Sequence, residues 1–143
     1  MEKRGPMCTV SWLQSSDGYE LRCNRDERRT RMPGTAPLQR YRSGAAFIAP
    51  LDGNHGGSWM AVNQFRISFC LLNRYVPLNA SLDEKKIYRS RGLLLLDLAD
   101  ARSLTEAWDR ASRFSLEEYP PFTLVALEPD APALLLDWTG RKL

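Results

Sequence analysis

Histidine is almost missing from this chain: His55 is the single one in 143 residues. One imidazole excludes Ser-His and Cys-His couples unless His55 supplies it. It also excludes a metal centre built from several histidines of one chain. Cysteine is scarce as well. Cys8, Cys23 and Cys70 are odd in number, far apart in sequence and without a Cys-x-x-Cys pair, so neither a disulfide scaffold nor a zinc knuckle fits. Neither Gly-x-Gly-x-x-Gly nor Gly-x-x-x-x-Gly-Lys-Ser/Thr occurs, which leaves nucleotide binding without support. No metal or cofactor is therefore expected. Long apolar runs are lacking: blocks such as Leu93–Leu96 fall far short of the about 18 residues of a membrane span. The start, Met-Glu-Lys-Arg-Gly-Pro, is charged with no apolar segment behind it, unlike a secretory leader. These absences predict a cytoplasmic protein that does not enter a membrane.

A dominant charge is missing too. Twenty basic against 17 acidic residues give a net +3, too little to name a polyanionic partner. Arg22, Arg25, Arg28, Arg29, Arg31, Arg40 and Arg42 do cluster, with Tyr41 beside them. Stacking aromatics do not alternate through that stretch, so it reads as a solvated segment beside a cleft, and nucleic acid is not expected as a partner.

What is present is an ordinary globular mixture, 43% hydrophobic and 26% charged. The length suits one domain over residues 1–143 with a real core. The first half reads as β. Cys8–Gln14 and Tyr19–Asn24 are β-rich or alternating segments around a Ser15–Gly18 turn, which predicts a hairpin bringing Cys8 and Asn24–Glu27 toward one end of a sheet. Arg28–Arg42 reads as irregular because Pro33, Gly34 and Pro37 interrupt it. Ala45–Ala49 is a strand, Asp52–Gly57 a glycine loop, and Ser58–Asn63 with Ile67–Tyr75 a strand pair about Gln64–Arg66. The second half turns helical. Asp83–Leu98 carries an apolar stripe that includes Ile87, Leu94, Leu95 and Leu98, and Ser103 with Glu106 forms a capping box opening Leu104–Phe114. Phe122–Leu127 and Ala133–Trp138 then predict a closing hairpin. The class is α+β with antiparallel sheet, since no βαβ alternation occurs.

Four motifs in order rise above that background: Met7-Cys8-Thr9, Asn24-Arg25-Asp26-Glu27, Gly56-Gly57-Ser58-Trp59 and Leu71-Leu72-Asn73-Arg74-Tyr75. Together they resemble the NRDE family, typified by transport and Golgi organisation 2-like proteins. The likeness is densest over Met7–Tyr75. More widely, the pattern is similar to N-terminal-nucleophile (Ntn) hydrolases of the choloylglycine hydrolase and penicillin V acylase type. The resemblance implies the N-terminal portion of an αββα sandwich, in a chain shorter than the family's usual length: a naturally short member, a gene truncated at its C-terminus, or a half-fold. It implies Cys8 as nucleophile, Arg25 and Asp26 as its organisers and Asn73 as oxyanion donor, with Asn24 and Trp59 at the substrate.

Elementary chemistry runs alongside. A nearby cation lowers a thiol pKa, so Arg25 is expected to activate Cys8. An α-amine titrating near pH 8 can serve as general base where histidine is missing. Cys8 is internal, so such an amine requires either that Met7 is the true start and is removed, or that the segment Met1–Met7 is cleaved. An Asn side chain can donate to a developing oxyanion. Cys23 and Cys70 read as core residues, and His55 as a loop residue remote from the chemistry. The expected activity is hydrolysis of a small amide by a cysteine nucleophile. The alternative is a catalytically silent member that binds a small molecule or a protein. Ala133–Trp138, an apolar strand near the end of the chain, adds an expectation of homo-oligomers.

Overall fold

The computed structural model describes residues 7–74 and 86–141. Two antiparallel sheets and two helices make up the fold. Strands β1 (Thr9–Ser15) and β2 (Gly18–Asn24) form a separate hairpin. The other six strands, β3 (Leu38–Arg42), β4 (Ala45–Ala49), β5 (Met60–Asn63), β6 (Ser68–Asn73), β7 (Phe122–Leu127) and β8 (Leu134–Trp138), lie side by side in chain order. Helices α1 (Arg91–Leu98) and α2 (Leu104–Ala111) enter between β6 and β7.

Side-chain alternation makes the layers. On β6, Phe69 and Leu71 join the core with Leu94, Leu95 and Leu98 of α1 and Ala107 and Ala111 of α2. Ser68 and Cys70 point the other way, to the hairpin. There the Tyr19 hydroxyl donates toward Ser68 Oγ at 2.9 Å and Gln14 Nε2 donates to the Ala131 carbonyl. The order is helices, six-stranded sheet, two-stranded sheet, which matches part of an αββα sandwich. Among the described residues no helix is long and apolar enough to cross a membrane.

Both predicted hairpins form, and β1–β2 closes with Thr9 opposite Asn24. The β5–β6 pair forms as well, and a residue read only as a strand end holds it. Asn63 is buried; its Oδ1 accepts from the N–H groups of Phe65 and Ile67, and its Nδ2 donates to Ala99 and Ala101. Every polar atom of that amide is satisfied, so it pins the turn to the α1–α2 connection.

Two readings are corrected. Arg28–Arg42 is not irregular throughout: Leu38–Arg42 is β3, paired with β4 through a Ser43-Gly44 turn in which both residues have positive φ. A two-residue turn of that hand matches the twist of its strands; β3 was hidden because an exposed edge strand tolerates arginines. The helix expected over Asp83–Leu98 begins only at Arg91. Ile87 is 96% exposed rather than in an apolar stripe, Asp83 lies outside the described residues, and Arg89 N–H donates to Glu118 in place of a helical partner. Ser103 caps α2 as expected: its Oγ accepts from Glu106 N–H at 3.1 Å, while the Glu106 carboxylate reaches one residue past the cap, to Arg102 N–H. Helix α2 stops at Ala111, short of Phe114.

Candidate active site

Hairpin register decides where Cys8 goes. Thr9 faces Asn24, so the chain just before β1 runs beside the chain just after β2. The Cys8 thiol donates to the Asp26 carbonyl at 3.5 Å, and the Asp26 carboxylate accepts from Met7 N–H at 3.1 Å. Cys8 then opens into a cavity of about 240 Å³ together with Arg25, Trp59 and Asn73. Asn73 reaches it as the last residue of β6. Arg25 stacks on Trp59, its guanidinium carbon 4.3 Å from the ring centroid, a favourable placement of a cation on an aromatic face. Asn24 is not brought in: it ends β2 as an exposed residue and does not line the cavity. Asp26 is exposed and acts on the backbone beside Cys8 instead of on the cavity.

Arg25 is occupied elsewhere. It donates to Asp52 at 2.8 Å and to Glu27 at 3.3 Å, and Arg31 donates to both Asp52 oxygens at 2.8 Å. Burial alone would raise the Asp52 carboxyl, but N–H groups of His55 and Asn54 and the Arg31 guanidinium hold it below the usual carboxylate range. The consequence for Cys8 departs from expectation. Burial pushes its thiol up, a backbone hydrogen bond at Asp26 and the charge of Arg25 oppose this, and Arg25 is the weakest influence. Engaged by two carboxylates, Arg25 offers the Cys8 sulfur little.

The structure also adds residues that sequence reasoning missed. Asp52 was read as a turn residue and Arg31 as solvated, yet together with Glu27 and Arg25 they form the cavity's ionic floor. The one usable signal was an isolated acid in a glycine loop downstream of an arginine-rich stretch. Tyr88, Arg89 and Arg91, absorbed into a helix in the sequence reading, line the opposite wall. His55 is corrected too: its loop is not remote, and His55 lines the cavity. Gly57 and Gly92 bring that loop against the start of α1. A Cβ on Gly57 would lie 2.6 Å from the Gly92 carbonyl carbon, and Ser58 N–H donates to the Gly92 carbonyl at 3.1 Å. Among the described residues no group of three or more His, Cys, Asp or Glu side chains is disposed to hold a metal ion.

No curated protein matches the chain. The family model of Transport and Golgi organisation 2 matches residues 7–138. That span holds all four motifs, three of which meet at the cavity through Cys8, Arg25 and Trp59 while the fourth brings Asn73 to its edge. The chain belongs to the Transport and Golgi organisation 2 family.

Proposed function

We propose that this family member is a cysteine N-terminal-nucleophile amidohydrolase acting on a small amide in the Cys8 cavity. The observation that carries the reading is the convergence of Cys8, Arg25, Trp59 and Asn73, distant in sequence, on one concavity. With residues 1–7 removed, the new α-amine of Cys8 takes the sulfur's proton, and the thiolate attacks the amide carbon. Asn73 donates to the oxyanion. The C–N bond breaks, the amine departs with the proton, and water hydrolyses the thioester. Asp26 holds the new ammonium in this scheme, a role supported by its bond to the nitrogen one residue ahead of Cys8. The chemistry belongs in the cytoplasm, where free thiols stay reduced.

A specific observation favours the second reading, a silent binder of a small molecule or a protein: in the uncut chain burial raises the Cys8 thiol and Arg25 is already ion-paired. Peptide mapping of protein from its native host, paired with turnover of a small-amide panel, separates the two. Enzyme is the outcome if the mature chain begins at Cys8, releases amine, and loses that activity on Cys8→Ala. Residues 1–7 still attached, with no turnover by wild type, overturn it and leave the binder.

A further inference from the structure

Two cysteines outside that chemistry meet across the sheet interface. On β2, Tyr19, Leu21 and Cys23 are half-buried while Glu20, Arg22 and Asn24 are exposed, so Cys23 faces the six-stranded sheet. On β6, Cys70 shares the hairpin-facing side with Ser68, and Tyr19–Ser68 shows the two faces in contact. The two thiols respond to each other there as donor and acceptor, Cys70 raised and Cys23 lowered in their titration. Cys70 is completely buried, whereas Cys23 reaches solvent.

We propose that Cys23 and Cys70 are a site of covalent modification, a thiol pair that a peroxide converts into a disulfide linking the β1–β2 hairpin to β6. The two sulfurs have different roles. The hydrogen bond from Cys70 draws the Cys23 thiol down to about 7, with help from Arg25 against burial. A large share of Cys23 is therefore thiolate at neutral pH, the form that reacts. Cys70 keeps its proton because the same bond and its burial push it up. The Cys23 sulfur attacks a peroxide oxygen; the O–O bond breaks, the departing oxygen leaves as alcohol or water, and Cys23 becomes a sulfenic acid. Cys70 sulfur then attacks Cys23 sulfur, the S–O bond breaks, and the Cys70 proton leaves with that oxygen as water. Two thiols are oxidised by two electrons and one peroxide is reduced.

Geometry selects the partner. Val10 is the residue opposite Cys23, so Cys8 is its diagonal neighbour, at about 7–8 Å between Cα atoms in such a pair. Disulfides span about 4.4–6.8 Å, and the Cys8 thiol is directed to the Asp26 carbonyl. Cys70 faces the hairpin from β6, between Ser68, which Tyr19 touches, and Asn73, which shares the cavity with Cys8. The link would tie the hairpin that follows Cys8 to the strand that ends in Asn73.

Reduced protein treated with one equivalent of hydrogen peroxide, quenched with N-ethylmaleimide and mapped without reductant tests this. A Cys23–Cys70 peptide is expected as the main cross-link, cleaved by a thiol reductant, absent from Cys23→Ser, and retained in Cys8→Ser. In Cys70→Ala, dimedone should capture several-fold more Cys23 sulfenic acid than in wild type. Should Cys70→Ala fail to fold, the wild-type and Cys23→Ser maps decide alone. A dominant Cys8–Cys23 link overturns the proposal, as does a wild-type Cys23 that stays a thiol or runs to sulfinic acid unlinked. Because Cys8→Ser keeps the link, failure of the amidase reading leaves this result untouched.

Discussion

Asp52 leaves only 10% of its side chain exposed, between the guanidinium groups of Arg25 and Arg31. Removing one member of such a buried cluster leaves charge uncompensated, a loss of about 3 kcal/mol. Asp52→Asn should therefore lower the unfolding free energy at pH 7 by about that amount. The pH dependence has a definite sign. Folding lowers the Asp52 pKa, so its ionised form contributes stability above the unfolded value of about 3.9, and the contribution is lost as pH falls through the lower folded value. Wild type should lose stability faster than Asp52→Asn in urea titrations taken below about pH 4. Parallel curves would show that the ion cluster contributes nothing to the fold. The same cluster accounts for the departure at Cys8: the hairpin brings Arg25 close and promised activation, but Asp52 from another loop, with Glu27, claims that charge.

At the scale of elements, the contact between the Asp52–Gly57 loop and α1 defines one wall of the cavity. Gly92 lies in the first turn of α1, where alanine would ordinarily improve helix propensity by about 1 kcal/mol. Here the added Cβ would lie 2.7 Å from Ser58 N, a backbone atom that cannot swing aside, and overpacking costs about 1–3 kcal/mol. The clash wins. Gly92→Ala should be destabilised by about 1–2 kcal/mol in chemical denaturation, and a neutral or stabilised variant would mean that the wall yields freely. The late start of α1 has a related cause. The apolar stripe is genuine from Leu94 onward, but just before the helix the chain is drawn to the 3-10 turn at Leu116–Glu118 instead, where Arg89 N–H donates to the Glu118 carbonyl.

For the whole molecule, the informative feature is the margin of the large sheet. Strand β8 is at its end, with β7 as its only partner strand among the described residues, and Leu135 is 53% exposed on it. Unpaired edges with apolar side chains invite pairing between chains. Light scattering across a concentration series should show mass rising with concentration, and Leu135→Lys should reduce that rise, since a charge on an edge opposes pairing. A clean monomer at high concentration would refute self-association through β8.

Local pattern was enough for much of this protein. Turn chemistry and alternation placed β1, β2, β4, β7 and β8 within a residue or so, and Ser103 with Glu106 marked the start of α2, because each depends on neighbours a few positions away. Four short motifs sufficed to name the family. Other features depended on the fold. Strand β3 exists because β4 offers it an edge, α1 is short because the Leu116–Glu118 turn engages the chain before it, and His55 lines the cavity because its loop packs on Gly92. The Cys23–Cys70 contact, the ion cluster around Asp52 and the rise of the Cys8 thiol all join residues from separate strands and loops. Hydrogen bonds and desolvation act over a few ångströms of space, so chain order shows them only where a hairpin makes the two distances coincide.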